Sequence, residues 1–199
     1  MMIGWEGNLV HLVPLEKEKH LLNCVKWLND PDVNQWIERG DFPINTHVEE
    51  EFFNRHTTFD PKPRFVHFAI ETLEGKHIGV GGFEEIHWRH GFGYIYCTIG
   101  DKSCWRKGCG SEAVLLFTEY GFNVLGRRMV LGKVFADNAP SRGMLKKLGY
   151  KECAHFPKYI WRRGSYRDFL IFCCQKEEWM NPSNKLAEAM DGSAGKFCS

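Results

Sequence analysis

The stretch from Ser103 to Phe122, SCWRKGCGSEAVLLFTEYGF, places residues suited to anion binding directly before an amphipathic helix. Gly108 and Gly110 leave room for a bulky group to approach the backbone, and Arg106 and Lys107 add positive charge. The first N–H groups of a helix have no intrahelical acceptor, and the positive end of the helix dipole lies among them. These features predict a loop that receives a phosphate-bearing ligand, although the same glycines would also suit a tight turn.

Three other kinds of chemistry are disfavoured. The chain contains neither the G-x-x-x-x-G-K-S/T pattern of P-loop NTPases nor the G-x-G-x-x-G pattern of dinucleotide-binding folds. His87 and His90 lie in a predicted strand end with no third ligand close in sequence, so no metal site is expected. The helix N-terminus is expected to lower the pKa of Cys109, yet no recognisable His/Asn set accompanies that thiol as a nucleophile.

Composition favours one globular domain in a reducing compartment. The chain has 199 residues, of which 43% are hydrophobic and 14% aromatic, enough for one well-buried core. A net charge of +1 gives no general attraction to nucleic acid or membranes, and the longest apolar run, FLIFCC, is too short to span a bilayer. The eight cysteines form no C-x-x-C pair and no secretory leader is visible, so free thiols and a cytoplasmic location are expected.

The N-terminal third is predicted to form a strand followed by short helices. Asn8–Pro14 reads as the strand, and a helix with period 3.6 follows until Asp30. Thr46 and Glu49 have the spacing of a capping box at the start of another helix. A group of aromatic residues is expected to form core beneath these helices: Trp27, Trp36, Phe42, Phe52 and Phe53.

The remaining elements predict a mixed α/β (α+β) fold with one central, mostly antiparallel sheet. RFVHFAIET, KHIGVGGFEEI and GFGYIYCTIG are three extended runs joined by short turns, as in a meander. The helix after the glycine loop, the strand RMVLGKVFA, a helix over DNAPSRGMLKKLGY and the strand YRDFLIFCCQ follow. Residues 1–178 are expected to form a single domain and residues 179–199 a flexible tail. The apolar stripe predicted for the glycine-loop helix consists of Ala113, Leu116, Phe117, Tyr120 and Val124.

Four segments of the chain, in the right order and spacing, carry a family resemblance. IGDKSCWRKGCGSEAVLLFTEYGF is similar to the Gln/Arg-x-x-Gly-x-Gly/Ala motif by which GNAT N-acetyltransferases bind acetyl-CoA, with Trp105 at the Gln/Arg place. VFADNAPSRGMLKKLGY resembles the Asn-x-x-Ser-x-x-x-Leu-x-Lys-x-Gly-Phe/Tyr segment of the RimJ/RimL-like branch, which acetylates ribosomal-protein N-termini. LVPLEKEKHLLNCVKWLNDPDV and WRRGSYRDFLIF resemble the first strand and helix and the last strand of that branch.

The resemblance, which covers roughly residues 8–178, implies acetyl-CoA as co-substrate in a GNAT fold with splayed central strands. The backbone amides of the glycine loop would hold the CoA diphosphate, and the end of the third meander strand would pair with the pantetheine arm. A backbone amide there would polarise the thioester carbonyl. The cofactor-binding residues implied are Thr98, Ile99, Trp105, Arg106, Lys107, Gly108, Cys109, Gly110, Ser111 and Asn138.

The resemblance also implies a catalytic set, in which this chain departs from the family at two positions. Leu145 stands where many members have a tyrosine acid, so Ser141 would supply the proton for the leaving thiolate. Tyr94 stands where a glutamate base is common. Glu84, or its neighbours Glu85 and His87, would then act as the base, directly or through a water molecule. The catalytic candidates are Ser141, Glu84 and Tyr94.

The preferred acceptor is the N-terminal amine of a protein, such as a ribosomal protein. An α-amine has a pKa of about 8, so deprotonation at pH 7 costs on the order of 1.4 kcal/mol, and a lysine needs roughly three times as much. Trp36 and Phe42 are candidates to line the acceptor groove, in a monomer or homodimer. Two alternatives stay open: a small amine acceptor, such as an aminoglycoside or polyamine, and a non-catalytic acyl-CoA-binding module.

Overall fold

The computed structural model describes residues 5–56 and 60–179. Seven strands within these ranges form one sheet in the order β1-β2-β3-β4-β5-β7-β6, antiparallel throughout except for the parallel pair β4 and β5. The strands are β1 (Val10–Pro14), β2 (Val66–Thr72), β3 (His77–His87), β4 (Phe92–Ile99), β5 (Met129–Phe135), β6 (Lys151–Arg162) and β7 (Ser165–Gln175). The helices are α1 (Lys17–Leu28), α2 (Pro31–Asn34), α3 (Thr46–His56), α4 (Cys109–Asn123) and α5 (Ala139–Lys147). The mixed α/β class and the β2–β3–β4 meander are confirmed.

Side chains that alternate along the strands divide the sheet into two covered faces. On the back face, Phe83 of β3 and Ile95 of β4 are buried in one cluster with Phe117 of α4. On the opposite face, here called the front face, Ala69 of β2 is buried with Leu21 of α1 and residues of α3. A residue directly before or after a back-face residue in β3 or β4 therefore points toward the front face.

A fork opens in the middle of the sheet between β4 and β5. The two parallel strands pair only from Phe92–Met129 to Ile95–Gly132. Beyond Ile95, β4 continues to Ile99 along β3 alone, while β5 continues to Phe135 along β7 alone. The facing backbone edges of β4 and β5 are consequently unpaired with each other in this part of the sheet.

Two details of the helices correct the sequence-based expectation. The side chain of Asn45, not Thr46, caps α3, since its Oδ1 accepts the Val48 N–H at 2.9 Å. Glu49 does not reach back to the cap because it is buried beside Arg39, 3.1 Å away. In α4 the predicted stripe is buried except at Val124, which is 47% exposed because it lies just past the last helical residue.

The edge strand β6 was not predicted from the sequence. Most of its side chains are exposed, so it lacks the alternation that marks a half-buried strand. It contains Pro157, and its register with β7 shifts twice, between Glu152 and Ala154 and between Phe156 and Ile160. Proline and bulges are tolerated on an edge strand because its outer N–H groups need no partner.

Other expectations concern the aromatic residues and the C-terminus. Phe53 is buried as predicted, whereas Phe42 is 67% exposed and is not part of the core. Trp179, placed in the tail by sequence, packs edge-on against Phe122 with ring centroids 5.8 Å apart. The rest of the predicted tail, residues 180–199, lies outside the described residues. Over the described ranges, no helix combines the length and apolar character needed to cross a membrane.

Candidate active site

The loop before α4 presents a row of unpaired backbone amides. Gly108 is the N-cap of α4 in a left-handed conformation (φ 88°), and Arg106 is also left-handed (φ 60°). From Arg106 to Ser111, the backbone N–H groups donate to no acceptor in the described part of the chain, whereas the Glu112 N–H donates to Gly108 O at 3.0 Å. Left-handed residues that turn successive amides inward form an anion-binding concavity. The loop has this geometry, and a phosphate-bearing ligand bound to it stays a prediction.

Ion pairs fix the position at which this loop leaves β4. Lys102 Nζ lies 2.8 Å from Asp30 Oδ2 and 2.9 Å from Asp32 Oδ2, which ties the loop to the start of α2. Asp101 pairs with Lys76 at 2.5 Å and accepts the Ser103 N–H at 2.9 Å. These two contacts lower the pKa of Asp101 to about 2. The loop is therefore held on both sides by charge-assisted contacts.

The start of α4 is anchored from behind by Glu112. Its carboxylate is 2% exposed and accepts the backbone N–H groups of Asn8, Leu9 and Val10 at 2.8, 2.6 and 2.9 Å. A buried carboxylate is stable there because its lone pairs are satisfied by charge-assisted bonds. Glu112 is thus used for structure and is not available to a ligand.

The side chains of the loop differ in their exposure. Arg106 and Lys107 are exposed and form no ion pair with any described residue. Trp105 is 38% exposed and donates its Nε1–H to Ile99 O at 2.7 Å, which folds the loop back onto the end of β4. The expected low pKa of Cys109 is wrong: burial raises the pKa of this thiol above its ordinary value and outweighs the helix N-terminus.

Thr98 and Ile99 lie on the β4 side of the fork. Their backbone partners are Val80 and Gly79 of β3. Backbone groups alternate between the two edges of a strand, and the Gly100 N–H donates to Ile78 O, so the groups of Thr98 point to β3 and those of Ile99 point to the fork. A Cβ at Gly79 would collide with the Thr98 carbonyl oxygen, so the close approach of these strands requires glycine. The end of β4 is thereby held firmly on one side and open on the other.

Asn138 and Ser141 lie on the β5 side of the fork, where α5 begins. Asn138 is the N-cap of α5, and its Oδ1 accepts the Ser141 N–H at 3.2 Å. Neither the Asn138 amide nitrogen nor the Ser141 hydroxyl has a partner in the described residues. Leu145, at the place of the family's tyrosine, is 3% exposed and packs over Gly132, so its side chain belongs to the core.

A cluster of charges occupies the front face beside the fork. Glu84 and Tyr94 are cross-strand partners, and Lys133 of β5 reaches both. Lys133 Nζ lies 2.8 Å from Glu85 Oε1, 3.3 Å from Glu84 Oε1 and 4.7 Å from the centre of the Tyr94 ring. Burial raises the pKa of Glu84, and the charge of Lys133 opposes that rise. The hydrogen bond to Lys133 holds the pKa of Glu85 below its ordinary value.

Sequence reasoning missed Lys133. The available signal was a lysine inside the otherwise apolar strand MVLGKVF, since buried positions of a strand are usually occupied by Val, Ile or Leu. Its partners are 48 residues away in sequence, so no local pattern connects them. The ring of His87 stacks on Phe92, with ring centroids 4.4 Å apart.

Trp36 and Phe42 both lie in the loop between α2 and α3, but in different environments. Trp36 is half-buried, with the Arg167 guanidinium 5.3 Å from its ring centre and Phe135 at 6.3 Å. Phe42 points to solvent. The loop is fixed by Arg162, a 1% exposed side chain that donates to Asn34 O at 2.5 Å and pairs with Asp41.

No metal site is present among the described residues. The rings of His87 and His90 lie 6.4 Å apart, and no group of at least three His, Cys, Asp or Glu side chains in residues 5–56 and 60–179 is arranged to hold an ion. Asp168 binds His155 Nε2 and accepts the Lys158 N–H, both at 2.8 Å, and so joins β6 to β7.

Several known proteins are similar to this chain. An "Uncharacterized N-acetyltransferase p20" of Bacillus licheniformis is 28% identical over 83% of this chain and 92% of its own. A human "Alpha/beta-tubulin-N-acetyltransferase 9" is 39% identical over 31% of this chain and 30% of its own.

Solved structures have the same fold. A spermidine N-acetyltransferase from Vibrio cholerae, in complex with CoA and spermine, superposes with a TM-score of 0.79 at 18% identity, covering 88% of this chain and all (100%) of that one. Mycobacterium smegmatis RimJ, in complex with CoA-disulfide, gives a TM-score of 0.78 at 18% identity over 96% of this chain and 98% of that one.

The amide-lined loop, the fork and the capped helix α5 all lie within, or directly at the edge of, the matched part of the chain. The family described as "Acetyltransferase (GNAT) domain" matches residues 10–151. The mostly antiparallel sheet with its one parallel pair is the fold of the solved neighbours. The chain therefore belongs to the GNAT family of acetyltransferases, whose co-substrate is acetyl-CoA.

Proposed function

We propose that this chain transfers the acetyl group of acetyl-CoA to the N-terminal α-amine of a protein or peptide. The observation that carries the choice of acceptor is the neutralised charge of the front face beside the fork. The carboxylates there, apart from Glu38, are already paired with cations of the chain, although Glu84 and Glu85 share one lysine, so the site offers few free carboxylates to a polycation and suits an acceptor with one ionisable amine.

The residues at the fork fit the co-substrate. The unpaired amides from Arg106 to Ser111 hold the diphosphate, with Arg106 and Lys107 contributing charge. The open backbone edge at the end of β4, to which Ile99 belongs, pairs with the pantetheine amides, as an added strand would. The free Asn138 amide nitrogen donates to the same arm from the other side.

Acetyl-CoA supplies an activated acyl carbon in a thioester. Glu84 takes one proton from the acceptor ammonium, which leaves a neutral amine. A backbone N–H of β4 that faces the fork donates to the carbonyl oxygen as charge develops there. The C–N bond forms and the C–S bond breaks, and the sulfur leaves with the bonding pair. The Ser141 hydroxyl donates its proton to that sulfur and regains one from the acylated nitrogen, so one proton in all goes to Glu84 and one to the thiol.

Four groups of ion pairs make up the neutralised face. Each joins a carboxylate beside the fork or its bordering loop to a lysine or arginine of this chain. A polyamine carries several ammonium groups and would need several free carboxylates, as charge complementarity requires. Among the described acidic residues near Lys133, Glu38 is exposed and without an ion pair. The pairs are Glu84 and Glu85 with Lys133, Glu49 with Arg39, Asp41 with Arg162, and Asp137 with Arg167.

The pKa of the acceptor supports the same choice. An α-amine near pKa 8 is about one tenth neutral at pH 7, whereas a lysine near 10.4 is less than about one thousandth neutral. Glu84 is a weak carboxylate base, and Tyr94 stands at the usual position of a glutamate. Deprotonation of the acceptor at such a site costs less free energy for the amine of lower pKa.

Matched acceptors test this proposal by the release of the CoA thiol. One peptide carries a free α-amine and no lysine, a second the same sequence with a blocked N-terminus and one lysine, and the third acceptor is spermidine. We expect the first to be turned over with a kcat/KM at least tenfold above the other two. A preference for spermidine would overturn the proposal, and binding of acetyl-CoA without turnover of any amine would indicate a non-catalytic module.

A further inference from the structure

Lys133 lies at the point where the sheet divides. The last backbone pair between β4 and β5 is Ile95–Gly132, and Lys133 is the next residue along β5. Its side chain crosses the Tyr94 ring on the front face and reaches β3. With 22% of the side chain exposed, the ammonium is largely shielded from water. A fixed positive charge therefore stands beside the place where the acceptor amine must meet the thioester.

A β-bulge brings two consecutive carboxylates to this one cation. Side chains of neighbouring strand residues normally point to opposite faces. The register of β3 with β4 shifts between Glu84 and His87, and Glu85 is left-handed with φ 52°. Both carboxylates consequently reach Lys133. A non-glycine residue held in this conformation is strained, and such strain persists where the surroundings require it.

We propose that Lys133 is a positioning residue for acetyl transfer: it holds Glu84 in place beside the fork and keeps that carboxylate ionised as the base. This inference rests on the proposed function, since it assigns how the base of the same site is prepared. Lys133 itself contacts neither the thioester nor the acceptor in the proposed reaction. Its effect reaches the reaction through Glu84.

The charges around Glu84 come from four parts of the fold. Of these, Lys133 favours the ionised carboxylate and the acidic neighbours disfavour it. Burial lowers the pKa of Lys133, but the hydrogen bond to Glu85 and the charges of the nearby glutamates raise it more, so the ammonium stays charged. The groups facing Glu84 are Lys133 of β5, Glu85 of β3, Glu38 of the loop after α2, and Tyr94 and Tyr96 of β4, while Arg64 and His87 face Glu85.

Removing the cation should therefore move the pH at which the base is lost. Without Lys133, burial and the charges of Glu38 and Glu85 act on Glu84 without an opposing cation, and its pKa rises further. The acid limb of the pH profile of kcat/KM reports the pKa of the base in the free enzyme. We expect Lys133→Met to shift this limb to higher pH by about one unit. Below the limb, kcat/KM should be about tenfold lower than that of the wild type, and the difference between the two enzymes should become small at high pH. Lys133→Arg should restore the wild-type limb.

A second variant should shift the acid limb in the opposite direction. Glu85→Gln removes a like charge next to Glu84 and leaves Lys133 with Glu84 as its nearer carboxylate. The pKa of Glu84 should then fall, so the acid limb moves to lower pH. This variant also keeps the proposal testable if Lys133→Met fails to fold. Lys151→Met is the matched control, because it removes the lysine of an exposed pair with Glu178 at 2.7 Å and should leave the limb unchanged.

The outcomes separate this inference from the proposed function. The positioning role would be overturned if Lys133→Met folds and keeps the acid limb of the wild type, or if its kcat/KM is lowered by the same factor at every pH. Loss of a residue with a purely structural role would give either result. An upward shift with Lys133→Met, rescue by Lys133→Arg and a downward shift with Glu85→Gln would support it. Wild-type enzyme that acetylates no amine at any pH would instead refute the proposed function itself.

Discussion

At the residue scale, the start of α5 shows how one turn serves both folding and the proposed chemistry. Asn138 caps the helix through its Oδ1, and the partner is the backbone N–H of Ser141. The side-chain hydroxyl of Ser141 takes no part in this cap. Structure and proposed catalysis therefore use different atoms of the same two residues, and substitution can separate them.

Ser141→Ala tests the proposed acid. Alanine keeps the backbone N–H that Asn138 accepts, so the melting temperature should change little, while kcat for every acceptor should fall about 100-fold because the proton donor is lost. Steady-state thiol release and a thermal melt measure the two effects. Ser165→Ala, at the tip of the β6–β7 hairpin, is the control and should behave as wild type. An unchanged kcat in Ser141→Ala would remove the acid assignment.

The sequence indicated some of these side chains and not others, for physical reasons. Asn138 and Ser141 belong to a continuous segment with a helix start, so their proximity follows from local geometry. Lys133 and Glu84 meet only after β3, β4 and β5 have paired, and the bulge at Glu85 has no sequence pattern of its own. The pKa of Cys109 was misjudged because its burial depends on tertiary packing.

At the element scale, the loop before α4 owes its open amides to two left-handed residues. Gly108 adopts φ 88° without strain, and the loop is fixed at its start by Asp101 and Lys102. A preorganised loop binds an anion without having to order itself first, which saves conformational entropy. The proposed diphosphate site depends on the geometry of this short segment more than on the identity of its side chains.

Gly108→Ala should weaken acetyl-CoA binding and lower stability together. An alanine in the left-handed region costs roughly 1–2 kcal/mol, and relief of that strain would turn the amides away from the ligand. Titration calorimetry should show at least a tenfold higher Kd, and a melt should show a lower midpoint. Binding at the wild-type Kd would contradict the role given to these amides.

Gly143→Ala is the matched control for that substitution. Gly143 lies inside α5, and a Cβ built there meets nothing within 4 Å. Alanine should therefore stabilise the helix by about 0.5–1 kcal/mol, with acetyl-CoA binding as in wild type. The two glycines differ in backbone conformation, so the opposite signs follow from φ alone.

Element prediction succeeded where one face of an element is buried and failed where none is. The meander and α4 have clear periodicity because each buries one side against a neighbour. The edge strand β6 is exposed along most of its length and its register shifts twice, so its sequence shows neither the two-residue period of a strand nor the 3.6-residue period of a helix. Its existence depends on pairing with β7, a long-range property.

At the scale of the whole molecule, the fork is the feature that joins the two proposed substrate sites. It arises because β4 follows β3 and β5 follows β7 beyond Ile95 and Gly132. The amide-lined loop lies at the end of β4 and α5 begins after β5, so both half-sites converge on the gap. The fold class and the co-substrate were predictable from motifs in order along the chain, but the neutralised front face required the tertiary structure.

The proposed acceptor preference is tested most directly by a competition between amines in one reaction. A peptide with both a free α-amine and one lysine is mixed with an equal concentration of spermidine, limiting acetyl-CoA and the purified chain. Mass spectrometry then locates the acetyl group. We predict acetylation mainly at the peptide α-amine, with at most about one tenth as much acetyl on the lysine or on spermidine. Acetyl found mainly on spermidine or on the lysine would contradict the central claim.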